Sequence, residues 1–271
     1  MLRTAMLLGA LTGILLAIGF FLAGSAGMLF ALAVAVVINF VSYWFSDRIV
    51  LGLYRAKPTE KKELVSAIKK LSAEAGIPAP RPYIISSKAP NAFATGRNPK
   101  HSVVAVTEGL LALEKEEVEG VIAHEIGHIR NGDMLVSTLA ATIAGAVSYL
   151  AQMGYYSLFY SGGRKDEGNI VALILIVIFA PLAALFIRLA ISRVREYKAD
   201  YTGALLSKNP MGLASALGKI SEYSKHNPIS GNTATSHMWI VNPFKSDGFV
   251  ALFSTHPPLE NRIERLEAMK V

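Results

Sequence analysis

The chain has 271 residues, of which 52% are hydrophobic and only 17% charged, and its mean hydropathy of +0.39 argues against an ordinary soluble domain. Lys and Arg outnumber Asp and Glu by 27 to 20, yet no basic run interleaves with aromatics, so a surface facing anionic lipid accounts for the balance and nucleic acid is set aside as a partner. There is no cysteine, which excludes a disulfide framework and leaves His, Asp and Glu as the available metal ligands.

No charged residue occurs between Arg3 and Asp47. The interval splits at Gly24-Ser-Ala-Gly27 into two apolar arms, each near the ~20 residues that a helix needs to cross hydrocarbon, so residues 1–46 are read as a transmembrane hairpin. A signal peptide resembles the first arm, but the apolar core is too long and a second arm follows directly. Residues 47–133 then form a first cytosolic part. Leu64, Ile68 and Leu71 recur at helical spacing between Lys61 and Ala75, and Gly76-Ile-Pro-Ala-Pro80 stops that helix. Three β-rich runs follow, 82–86, 91–95 and 102–107, and their Pro, Gly and Asn turns suit a small antiparallel meander. The next segment is helical, with Glu114, Glu116 and Glu117 near its start, where they favour the helix dipole.

Two further uncharged intervals, 134–163 and 169–187, are joined by the turn 162–168. They make a second transmembrane hairpin, 134–191, with a buried helical hairpin of a soluble domain as the alternative. Arg48, Arg55, Lys57, Lys61 and Lys62 follow the first hairpin while its turn carries no charge, which puts the bulk of the chain and both termini in the cytoplasm. Tyr155, Tyr156 and Tyr160 fall where an aromatic belt at the far surface is expected. Residues 192–271 form the second cytosolic part, with helices expected at 211–226 and 257–269. The expected architecture is a mainly α membrane protein: four transmembrane helices in two hairpins, plus a cytosolic α+β zincin-like catalytic domain with a small antiparallel sheet.

The chemistry is concentrated in Val121-Ile-Ala-His-Glu-Ile-Gly-His-Ile-Arg130. Four residues along a helix advance by roughly 400°, so His124 and His128 lie on one face and both imidazoles can reach a single ion. Glu125 is rotated away from that axis and placed to take a proton from the attacking water. The longer metzincin pattern would need Gly at 131 and His at 134, where this chain has Asn131 and Met134. A hydrolytic zinc site needs a third protein ligand. Asp133 is too close along the same helix, and Asp166 and Glu167 lie across the membrane. Glu196 and Asp200 come next, where the chain returns to the side it left. With i, i+4 spacing, Glu196 can coordinate one Zn2+ per chain while Asp200 accepts a hydrogen bond from the outer nitrogen of a ligating histidine. The plain alternative is an exposed helix end whose carboxylates pair with Arg193 or Arg195. Either His256, before a proline-opened helix, or Arg262 can point positive charge at the developing oxyanion, and either is equally an ordinary structural feature of that helix start.

These residues resemble the HtpX branch of membrane zinc proteases, relatives of the CAAX prenyl proteases, along nearly the whole chain. The resemblance rests on Asn91-Ala-Phe-Ala-Thr-Gly96, Ala123-His-Glu-Ile-Gly-His128 with Asn131-Gly-Asp133, Arg195-Glu-Tyr-Lys-Ala-Asp200, and Ser254-Thr-His-Pro257 with Arg262, in that order. It implies that His124, His128 and Glu196 bind zinc, that Glu125 is the catalytic base, that Asp200 orients a ligand, and that His256 and Arg262 stabilise the transition state. It also implies that Asn91, Ala92, Phe93 and Ala94 form an edge strand to which protein substrates add in extended form. Finally, it implies quality control of misfolded membrane proteins at a prokaryotic inner membrane, with the site on the cytoplasmic side. The competing readings are a membrane scaffold with a structural zinc site and a soluble metallohydrolase.

Overall fold

A computed structural model describes residues 2–139, 193–227, 238–243 and 257–271. The expected second hairpin beyond residue 139, its tyrosines and His256 lie outside the described residues; residues 134–139 are helical.

The apolar N-terminal run forms helix α1, Leu2–Leu53. It is not one straight rod. Asn39 Nδ2 donates to Thr12 Oγ1 at 2.9 Å, whereas residues 27 apart in an unbroken helix would lie about 40 Å apart at ~1.5 Å per residue. The reversal falls at Gly24, whose φ of 60° is left-handed and open to glycine without a Cβ clash. The second arm, Gly24–Leu53, is the one helix among the described residues long and apolar enough to cross a membrane. Phe30, Val36, Val37 and Phe40 on this arm are more than half exposed.

Beyond α1 come strand β1 (Lys57–Pro58), helix α2 (Lys62–Ala75), and strands β2 (Arg81–Ile85), β3 (Ala92–Gly96) and β4 (Ser102–Thr107). The sheet order is β1-β2-β4-β3, with β2 and β4 parallel and the other pairs antiparallel. The expected antiparallel meander is therefore corrected to a mixed sheet. A meander would place β3 in the centre, but β4, Ser-Val-Val-Ala-Val-Thr, is the more apolar of these two wholly buried strands and takes the position between β2 and β3. Backbone bonds from Glu108 and Gly109 to Ile85 and Ser87 fold the 86–91 segment past the end of β4, which sends β3 to its far side. Val104 and Val106 face the helices, while Val103 and Ala105 face a second cluster with Phe93, Trp239 and the end of α1 at Val50 and Leu51. The foot of α1 is thus packed into the same body as the sheet.

Helix α3 (Lys115–Asn131) opens with a capping box: Glu114 N donates to the Glu117 carboxylate at 3.1 Å, and the Glu114 side chain accepts from the first turn. Gly132, at φ 74°, closes it with bonds back to His128 and Ile129. Helices α4 (Arg193–Ser207), α5 (Pro210–His226) and α6 (Leu259–Glu267) complete the described fold. Pro210 begins α5, and the Asn209 side chain caps it by accepting from Gly212 N at 3.1 Å. The main core joins α2, α3, α5 and one face of the sheet through Leu71, Val106, Ile122, Ile126 and Leu217.

Candidate metal centre

Small residues set the distance between α3 and α4. A Cβ added at Gly203 would come within 2.8 Å of the His124 backbone nitrogen, and one at Gly127 within 3.0 Å of the Ala199 carbonyl. Such separations allow backbone to lie against backbone, so Glu196 and Asp200 on α4 reach His124 and His128 on α3 with side chains of ordinary length.

The two Nε2 atoms face each other at 3.1 Å. Glu196 lies 3.5 Å from His128 Nε2 through Oε1 and 3.9 Å from His124 Nε2 through Oε2. One ligand atom from each of the three residues falls within 4.8 Å of the others. Two imidazole nitrogens on one tetrahedral zinc, each at ~2.0–2.1 Å, must stand about 3.3 Å apart. The histidine pair meets that spacing, and the donor set of two imidazoles and one carboxylate suits the ion.

Each histidine has an acidic neighbour on its outer nitrogen. His124 Nδ1 is 2.9 Å from Asp200 Oδ1, close in distance but off the line of an N–H bond. Asp200 in turn receives Arg262 in a two-pronged grip, Nε at 2.8 Å and Nη2 at 2.7 Å. His128 Nδ1 is 3.4 Å from Asp133 Oδ2. Asp133 is no metal ligand, as its position on the same helix implied, but Gly132 turns the chain so that its carboxylate meets the outer nitrogen of His128.

The electrostatics favour a cation in the centre. Burial opposes charge on His128, but Glu196, Asp133 and Glu125 outweigh it and raise its pKa to about 9. Burial, with a further contribution from Glu196, raises Glu125 to about 7 against the opposing influence of His128. For Asp200, burial would raise the pKa, yet Arg262 and His124 hold it at about 2.

A cavity of about 30 Å³, bounded by Ala94, His124, Glu125, Glu196, Trp239 and Ile240, opens at this point, room for a water or two. Glu125 is 2% exposed, and the Ala94 backbone faces its carboxylate. The structure thus brings together His124, Glu125, His128, Glu196 and Asp200. Arg262 joins this cluster from α6. It is 1% exposed; its third donor nitrogen, Nη1, goes to the Ile240 carbonyl at 3.0 Å and stands 3.8 Å from Glu196 Oε2. It thus braces Asp200 and also sets a positive charge beside Glu196.

Strand β3 is the sheet edge, as an added substrate strand requires, but that edge is partly taken. Ile240 N donates to the Ala92 carbonyl at 3.3 Å, and Asn91 Nδ2 donates to the Val241 carbonyl at 2.8 Å. The Phe93 ring turns away from the metal ligands to pack edge-on against Trp239 and beside Tyr54. The 238–241 segment was not anticipated; no local periodicity marks it.

Residues 58–270 match Peptidase family M48. The chain is 54% identical to a "Protease HtpX homolog" of Pyrococcus furiosus, over 97% of this chain and 94% of that one, and 51% identical to one of Desulfatibacillum aliphaticivorans, over 97% and 88%. Among solved structures it resembles S. mikatae Ste24p, with a TM-score of 0.51 and 20% identity, over 98% of this chain; it spans 64% of the Ste24p chain, and at that identity the likeness is one of fold. With a family match covering most of its length and full-length relatives at about half identity, the chain belongs to peptidase family M48.

Proposed function

We propose that this chain is a membrane-anchored zinc endopeptidase acting on misfolded or damaged membrane proteins at a prokaryotic inner membrane, with its site on the cytoplasmic side. The observation that carries the reading is the convergence of His124 Nε2, His128 Nε2 and the Glu196 carboxylate beside a buried Glu125 whose pKa is raised to about 7. Bound zinc would polarise the scissile carbonyl and acidify the attacking water. Glu125 takes the proton from that water and returns it to the leaving amine, its burial having raised the carboxyl's affinity for a proton. Asp200 fixes the His124 ring from behind and Arg262 fixes Asp200. Substrate backbone adds along β3 from the Ala94 side, next to Glu125. At Ala92 it must share or displace the contact made by Ile240. The exposed apolar arm Gly24–Leu53 supports the membrane anchor, and the match to an M48 family model supports the peptidase chemistry.

The test is cleavage of an unfolded protein such as casein by the full chain in detergent with zinc. Glu125→Gln is expected to keep its zinc and lose about 10²–10⁴-fold in rate. Full-rate cleavage by a zinc-loaded Glu125→Gln chain would remove the proposed mechanism, and a wild-type chain that binds zinc but never cleaves would favour the scaffold reading.

A further inference from the structure

At the foot of α1, away from the metal centre, a second and larger cavity of about 320 Å³ lies between the helix and one end of the sheet. Its walls are basic. Arg48 comes from the helix, Arg81 from the start of β2, and Arg97 and Lys100 from the connection between β3 and β4; Asp47 is the one carboxylate of the lining. Asp47 pairs with Arg81 at 3.1 Å. Arg48, Arg97 and Lys100 have no carboxylate partner among the described residues. Two of these three are instead steered by aromatic rings: Arg97 lies 4.4 Å over Trp44 and Arg48 5.5 Å over Phe45. Cations crowded into a recess repel one another, and an anion with several oxygens relieves that repulsion.

The position of the cavity narrows the choice of anion. Trp44 is 44% and Phe45 39% exposed, they end the uncharged run, and Asp47 is the first charged residue since Arg3. An exposed Trp at the end of an apolar helix marks the level where hydrocarbon gives way to headgroups. The recess opens at that level, and its volume suits a headgroup rather than a lone small ion.

We propose that this recess binds the phosphate-bearing headgroup of an anionic phospholipid, tying the β3–β4 end of the sheet to the bilayer at the foot of α1. The inference rests on the membrane reading above and is independent of the peptidase chemistry. A lipid seated there holds Arg97 and Lys100 at the membrane surface, and so fixes the depth of the edge strand that begins five residues earlier at Ala92.

The experiment is native mass spectrometry of the full chain in detergent with equimolar phosphatidylglycerol and phosphatidylcholine, supported by flotation with phosphatidylcholine vesicles. Wild type is expected to retain phosphatidylglycerol over phosphatidylcholine on the order of tenfold, and Arg97→Gln with Lys100→Gln to bring the ratio near parity. Lys100→Gln alone, an exposed change that tests the same recess should the pair misfold, is expected to lower the preference about fivefold. Lys62→Gln with Lys69→Gln, on the α2 surface, is expected to leave the ratio unchanged, as is Glu125→Gln. Equal retention of the two lipids by wild type, or an equal loss in the α2 variant, overturns the site. Displacement of phosphatidylglycerol by excess inorganic phosphate overturns the lipid in favour of a free phosphate. Failure to float with neutral vesicles removes the membrane reading, and this inference with it, while casein cleavage would be unaffected.

Discussion

Behind each imidazole stands a carboxylate, and behind each carboxylate an arginine. His124, Asp200 and Arg262 form one chain; His128, Asp133 and Arg195 form a looser one, with Arg195 Nε 3.8 Å from Asp133. Buried charges persist where they are paired and hydrogen-bonded, and here the pairing fixes the rings whose inner nitrogens meet. Asp200→Asn is expected to weaken metal binding by about 10–100-fold, read by competition with a chelating dye. Asp133→Asn should cost less, because its contact is longer at 3.4 Å. Unchanged affinity in Asp200→Asn would show that the ring is held by other means. At this scale the sequence was legible where function follows helical spacing: i, i+4 spacing puts His124 over His128 and Asp200 one turn from Glu196. The partner of Arg262 was not legible, because a bond between residues 62 apart leaves no local pattern. The contact of Asp133 was not legible either, because it depends on the left-handed turn at Gly132 that ends the helical spacing.

Among the elements, α3 carries the centre and its start is fixed chemically. Glu117, 3% exposed, accepts from Glu114 N and Ser215 and pairs with Lys219 at 2.6 Å. Burial would raise its pKa, but the bonds to Lys219, Ser215 and the backbone win and lower it below 4.5. A carboxylate whose folded pKa is depressed adds stability above its unfolded pKa and loses it as pH falls through the folded value. Glu117→Gln is therefore expected to be about 1 kcal/mol less stable than wild type at neutral pH, with the two stabilities converging as pH falls through the lowered folded pKa of Glu117. Parallel curves across that window would show that the charge of Glu117 does not contribute. The helices α2, α3, α5 and α6 were readable from periodicity and stop signals, and the strands from their composition. Strand order was not, since local turns between 82–86, 91–95 and 102–107 fit either a meander or a mixed sheet. What decides is the long-range pairing of β4 with both β2 and β3, a tertiary property.

At the scale of the whole molecule, composition announced a lipid-facing segment, and the Gly24 reversal with its Asn39 to Thr12 bond folds the first apolar run back on itself. The foot of that run is not a loose tether; Val50 and Leu51 pack with Phe93 and Trp239 under the sheet, so the apolar arm and the body that holds the candidate metal centre share one core. The proposed centre joins α3 to a helix some seventy residues further on, His124 to Glu196. The most direct test is zinc quantitation, with circular dichroism to check folding, on the full chain and its His124→Ala, His128→Ala and Glu196→Ala variants. About one zinc per chain is expected in wild type, and about a tenth of that or less in each variant at limiting free metal. A folded Glu196→Ala chain that still holds zinc as tightly as wild type would contradict the three-ligand centre.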